Sequence, residues 1–322
     1  MLERRGGWAR GVTWVTRAVA LLGRGEGPRM VADTLHGLRR HARTVGRVDG
    51  LRSRAQMLRL TAESLLGREI DQPPAATAVA VSARAVSPRP LWLRPRSRDQ
   101  AAFAFLDGRH HLPPPESARP PARIAVFGAN IGLVLAELAT LHPGARLLGV
   151  EPDPDNATLA RRNLAHLGAR CEIAEKAVWW CDGRIEVAWG RDAWGLNLRG
   201  ASPDQRSGSE RSVEAVDAAV LIDRFTGGEP LDFLLVNVES SWYDLLRHGD
   251  WTRNVRCIKI EIQDHYDEAV PMLRALGYRA RLECLPWGAF AVGVRPDAHR
   301  VGERSVGGVG GGGFSGTGAA AS

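Results

Sequence analysis

The amino-acid sequence predicts an α/β fold: an open, doubly wound sheet, mostly parallel, ending in an antiparallel edge hairpin and preceded by a helical N-terminal extension. Three observations predict it. Short apolar runs alternate with helical repeats from residue 123 to about 296, the pattern that gives right-handed crossovers and a parallel sheet. The first run, in "RIAVFGANIGLVLAELA", passes through a glycine turn directly into a helix. The last two runs, "YRARLEC" and "GAFAVGV", are separated only by "LPWG", too short for a crossover helix, so they should pair as a hairpin.

The elements follow in chain order. Residues 1–70 read as a basic helical extension with Gly-rich breaks. Its opening, "MLERRGGWARGVTWVTRAVALLG", imitates a secretory leader, but Arg17 interrupts the apolar part and no small-residue cleavage site follows. It reads as an amphipathic basic helix, with weak peripheral contact to a membrane as the most it would support. The clearest helix is "DGLRSRAQMLRLTAESLLG", with Met57, Leu58, Leu65 and Leu66 expected on one side and Gly67 as the stop. Residues 71–122 hold two strand-like runs, "TAVAVSA" and "PLWLRP", and a Pro-rich linker into the core. Buried strands are expected at 123–127, 146–150, 231–237 and 255–262, with helices at 131–141, 155–167 and 266–276. Residues 297–322 are Gly/Ser/Ala low complexity with almost nothing to bury, and a disordered tail is expected. No apolar run approaches the roughly 20 residues that span a bilayer.

The formal net charge of +7 is unevenly placed, the excess of arginine falling in the first 120 residues. Those arginines are interspersed with acids, and no aromatic-studded strand accompanies them, so no nucleic-acid partner is expected. Lys176 and Lys259 are the only lysines, which makes part of the arginine excess compositional. Cys171, Cys181, Cys257 and Cys284 are too far apart for a metal knuckle; no metal is expected, and reduced thiols point to a cytoplasmic location. Nothing in the sequence sets the oligomeric state.

Candidate chemistry begins at the glycine turn. Gly128 and Gly132 permit a tight turn, and the helix N-terminus that follows offers N–H groups beside a positive dipole end. Alone this is weak, since such a turn is often needed only for close helix packing. Glu151 strengthens it: the residue stands about 20 positions beyond the turn, at the end of the next strand, where a carboxylate accepts hydrogen bonds from ribose hydroxyls. A parallel sheet with these features and a terminal hairpin is the Rossmann-like class I methyltransferase pattern.

From these residues the chain resembles the FkbM-type methyltransferase family, over roughly residues 91–264. "LWLRPRSRDQAAF" looks like that family's R-P-G-T-S-D lead-in, "GANIG" and "EPDPDN" match its cofactor signature, and "EKAVWWCDG" is similar to its A-V-x-x-x-x-G stretch. "LDFLLVNVESSWYDLL" falls where the family reads K-I-D-V-E-G-x-E, and "IEIQD" where some members read E-L-H-D. The resemblance implies S-adenosylmethionine as cofactor and methyl transfer, typically to a hydroxyl, here of a small molecule, natural product or glycoside. It further implies cofactor contacts from Gly128, Ala129, Asn130 and Gly132 at the methionine end, from Glu151 at the ribose, and from Asp153 and Ala177.

The departures fall at the chemistry. Val126 stands where an acid usually precedes G-A-N-x-G, Asn237 replaces the strand-end Asp, Ser240 the Gly and Trp242 the second Glu, while Glu239 is retained. A hydroxyl titrates far above neutrality, so a positioned base helps remove its proton. Glu239 is the expected base, with Asn237 as a hydrogen-bonding orienter; His265 in "QDHYDEA" is the other candidate. Trp179, Trp180, Trp189 and Trp194 are candidates to wall the pocket. The alternative is a methyltransferase fold that has lost catalysis and works as a docking protein through its basic N-terminus.

Overall fold

The computed structural model describes residues 42–65, 73–106, 109–117, 119–189, 196–198, 210–239, 241–285 and 288–296. The helices expected before residue 42 and the low-complexity end from 297 onward lie outside them. Helix α1 (Gly50–Leu65) leads to the short strands β1 (Val79–Val81) and β2 (Leu91–Leu93), which pair antiparallel, and to α2 (Asp99–Phe105). The core then runs β3 (Arg123–Phe127), α3 (Leu133–Leu141), β4 (Arg146–Val150), α4 (Pro154–Leu164) and β5 (Cys171–Ala174). Strands β6 (Ala177–Trp179), β7 (Gly183–Trp189), β8 (Leu196–Leu198) and β9 (Glu210–Asp217) follow, then α5 (Ala218–Thr226), β10 (Leu231–Val236), α6 (Ser241–Arg247), β11 (Val255–Ile262) and α7 (Tyr266–Ala275). The chain closes with β12 (Arg279–Leu285) and β13 (Gly288–Val294).

Seven strands form the main sheet in the order β12-β13-β11-β10-β3-β4-β5, all parallel except β13, which is antiparallel to both neighbours. This is the Rossmann-like class I methyltransferase sheet that the sequence predicts, hairpin included. The order reverses between β3 and β10, so the crevice beyond their carboxyl ends is the topological switch point where ligands of open α/β sheets bind.

Side-chain alternation sends the strand residues to two cores. Ile124, Val126, Leu147, Phe233, Leu235 and Cys257 face α3, α4 and the N-terminal layer of α1 and β1–β2. Ala125, Phe127, Val150, Leu234, Val236, Ile258 and Ile260 face α5, α6 and α7. Val126 is thus a core side chain, and Trp242 is the fully buried anchor of α6. Asp153 and Asp217 cap α4 and α5, their carboxylates accepting from Asn156 N and from Ala219 N and Val220 N.

Two expectations change. In α1 the buried positions are Ser53, Met57, Leu60 and Thr61, spaced as one helical face, whereas Leu58 is exposed; the side chains of Leu65 and Leu66 lie outside the described residues. Between β5 and α5 the expectations were Ala177, in the "EKAVWWCDG" stretch, and candidate aromatics, with no strand named, whereas the structure has a second sheet, ordered β6-β9-β7-β8. In β7 and β9 polar and apolar residues alternate, as in Arg184-Ile185-Glu186 and Ser212-Val213-Glu214, a one-sided pattern unlike the continuous apolar runs from which the buried strands are read. Among the described residues no helix is long and apolar enough to cross a membrane.

Candidate functional site

The carboxyl ends of β3, β4, β10 and β11 bring four loops together. Three of them contain a non-glycine residue in left-handed backbone: Asn130, Glu239 and His265, each at φ 48°. Asparagine tolerates this conformation, but glutamate and histidine adopt it against a cost of about 1–2 kcal/mol, and such strain gathers at functional sites.

The glycine turn is held by its own chain. Gly128 N and Ala129 N both donate to Val150 O at 2.9 Å, Gly132 N donates to Ala129 O, and Ile131 N donates to the Asn130 side chain. These amides are therefore not open for an anion; the turn instead sets the spacing of β3, β10 and α3. A Cβ on Gly128 would lie 1.8 Å from Asn237 O, and one on Gly132 would lie 2.9 Å from Leu164 Cδ1 and 3.2 Å from Ala160. Both glycines also need their positive φ, 79° and 80°.

Glu151 occupies the end of β4 and is almost fully buried. Its Oε2 accepts from Asn130 N at 2.7 Å, and its Oε1 accepts from Asp153 N at 3.0 Å and Asn156 Nδ2 at 3.4 Å. A carboxylate accepts about four hydrogen bonds, so Oε2 retains a position for a ligand hydroxyl. Burial pushes the group up to about 7, the three hydrogen bonds opposing that rise only in part. Burial likewise raises Asp153, whose carboxylate caps α4 beside it.

The sequence reading missed what aims this carboxylate. Arg94, fully buried, donates from Nε and Nη2 to both oxygens of Asp99 and from Nη2 to Asn156 Oδ1 at 2.8 Å. That bond fixes the amide of Asn156 so that its Nδ2 faces Glu151. Nearby, Asn163 takes Trp92 N on its Oδ1 and donates from Nδ2 to Ile131 O, joining β2 to the glycine loop. The "LWLRPRSRD" stretch thus supports the site from beneath; its signal was a buried-pair spacing, Arg94 to Asp99, inside a lead-in matched only as a motif.

At the other side of the crevice, Asn237 is partly buried and its N–H donates to Phe127 O at 2.8 Å. Glu239 lies close enough to Glu261, on β11, for its charge to act on it. Glu261 was not among the expected site residues. Burial, then the Glu239 charge, pushes Glu261 up to about 8. His265 is turned elsewhere: it stacks on Tyr243 at 4.3 Å, and its Nδ1 lies 3.2 Å from Glu268. Ala177 is buried at the start of β6, in a small core with Trp179 and Ala215. Trp179 is buried and packs on Trp180, which stacks on His248 at 4.1 Å; the Trp189 side chain and Trp194 lie outside the described residues. Among the described residues, no three His, Cys, Asp or Glu side chains gather as metal ligands would.

No protein-family model matches the chain, and no curated protein matches its sequence. Solved structures do resemble it. The precorrin-6y C5,15-methyltransferase of Geobacter metallireducens is 13% identical over 55% of this chain and 81% of that one, with a TM-score of 0.34. An O-methyltransferase family protein from Burkholderia thailandensis is 14% identical over 63% of this chain and 60% of that one, at 0.38. A methyltransferase from Geobacter sulfurreducens is 12% identical over 55% and 72%, at 0.33. At such identities and scores, the strand order remains the ground on which the fold is assigned.

Proposed function

We propose that the chain binds S-adenosylmethionine at the switch point and transfers its methyl group to a hydroxyl of a small molecule or glycoside, as the FkbM-type resemblance implies. The observation that carries this reading is Glu151. A buried carboxyl at the end of β4, aimed by Asn130, Asp153 and Asn156 and retaining one acceptor position, suits a ribose hydroxyl. The absence of a side chain at Gly128 lets β3 and β10 close against each other at Asn237 O, which forms the floor of the crevice. Bound there, the cofactor supplies an electrophilic methyl group on a sulfonium.

The chain's own work is then to position and to handle a proton. Glu151 holds one end of the cofactor. Asn237 can orient the acceptor hydroxyl through its amide, and Glu239 lies on the acceptor side with a carboxyl able to take a proton. His265, held by Tyr243 and Glu268, is the weaker candidate. The lapsed-enzyme alternative keeps the same cofactor binding and differs only in turnover.

Calorimetric titration with S-adenosylmethionine tests the reading. Wild type should bind, and Glu151→Ala should bind more weakly by roughly 1.5–3 kcal/mol, the range for a lost charge-assisted hydrogen bond. Equal affinity of the two proteins would remove Glu151 from the site. Labelled cofactor incubated with an extract of the producing cells would then identify the acceptor by the label it gains.

A further inference from the structure

The strand register sets a row of residues across the carboxyl edge of the sheet. Phe127, Val236 and Ile260 are aligned, so the next position on each strand brings Gly128, Asn237 and Glu261 side by side, with Phe290 of β13 opposite Glu261. Alternation points Glu261 to the face that Val126, Cys257 and Phe290 share, over which the glycine turn and α3 lie. The row runs from the proposed methyl end of the cofactor, at Gly128, to Glu261.

Glu261 is only 8% exposed, and the neighbouring charge that acts on it, that of Glu239, has the same sign as its own. A carboxyl buried so deeply beside a like charge favours its neutral form and so holds a proton that it can exchange. The cation on the same strand does not neutralise it: Lys259 is spent on His110 O at 2.5 Å and Glu283 at 3.4 Å. The charged and titratable groups facing Glu261 are Glu239 from the loop after β10 and Tyr266 at the start of α7. Asp264 lies in its own loop, beside Tyr266.

We infer that the base of the reaction is the pair Glu239–Glu261 rather than Glu239 alone, and that Glu261 is the member that receives the acceptor's proton. This rests on the methyl-transfer reading above. Burial, helped by the Glu239 charge, keeps a proton on Glu261 at neutral pH. When that proton leaves, Glu261 becomes a stronger base than an ordinary carboxylate, as its rise to about 8 requires. Glu261 then takes the hydroxyl proton while the acceptor oxygen bonds the methyl carbon and the carbon–sulfur electron pair returns to sulfur. The products are the methyl ether, S-adenosylhomocysteine and a protonated Glu261, which returns its proton to solvent.

The first test needs no cofactor. With carbon-13 in the glutamate carboxyls, nuclear magnetic resonance should show one group titrating near pH 8, absent in Glu261→Gln and moved to lower pH in Glu239→Gln. A spectrum in which Glu261→Gln removes no resonance titrating above pH 7 overturns the inference while leaving the cofactor reading intact. The second test uses the labelled-extract assay: Glu261→Gln should lower turnover about 10²–10⁴-fold at unchanged S-adenosylmethionine affinity, and wild-type rate should rise with pH through about 8. Near-normal turnover in Glu261→Gln overturns the assignment. Failure of wild type to bind S-adenosylmethionine overturns the parent reading instead, so the two failures are distinct.

Discussion

Glu151 and Glu261 ordinarily titrate at 4.5, and burial moves them to about 7 and about 8. Each keeps a proton in the folded chain after the unfolded chain has released it. Their contribution to stability is therefore complete below pH 4.5 and is lost as pH rises through 7 and 8. Melting temperature should accordingly fall between pH 5.5 and 8.5, and Glu151→Gln or Glu261→Gln should flatten the fall; an unchanged slope in both variants would mean that neither carboxyl is shifted. Gly128 makes a second prediction at this scale. Its alanine variant suffers both the left-handed φ and the contact with Asn237 O, together about 2–4 kcal/mol. Gly144→Ala, which meets nothing within 4 Å, is the control for urea denaturation.

Among the elements, the clasp beneath the site shows where sequence reading ends. The strands, the glycine turn, the hairpin and the strand-end acid were legible because each rests on local rules: apolar runs, turn residues, loop length. Glu261 was not singled out, although it lies in the "IEIQD" stretch, because its relation to Glu239 comes from the pairing of neighbouring strands and not from sequence distance. Arg94 was hidden for the same reason, since its partners Asp99 and Asn156 come from α2 and α4. In α1, apolar count suggested Leu58, but a helical face at 53, 57, 60 and 61 admits Ser53 and Thr61 and excludes it. The clasp yields a test. Lysine cannot reproduce the forked contacts of Arg94, so Arg94→Lys should lose about 1–3 kcal/mol of stability and weaken S-adenosylmethionine binding without touching the cofactor. Retained affinity would show that Asn156 needs no such orientation.

For the whole molecule, the N-terminal layer is part of the core. Val48, Met57 and Leu60 share one hydrophobic cluster with α3 and the sheet, and Arg47 donates to the buried Glu137 of α3, whose other oxygen lies 2.5 Å from His111 Nε2. Glu137→Leu leaves Arg47 and His111 facing each other without their acid, and should cost about 3–5 kcal/mol in urea denaturation. The same arithmetic bears on deletion: removing residues 1–66 should abolish cooperative melting, whereas removing 303–322, which offer little to bury, should not move it.

The two lysines have a practical consequence. Lys259 is sealed beneath His110 and Glu283, while Lys176, before β6, is partly exposed and paired with Glu214. An amine-reactive dye should thus mark the native chain at Lys176 and at the terminal α-amine, which is the more acidic of the two, and reach Lys259 only when the sheet comes apart. The appearance of label on Lys259, read by peptide mapping, gives a clock for global opening.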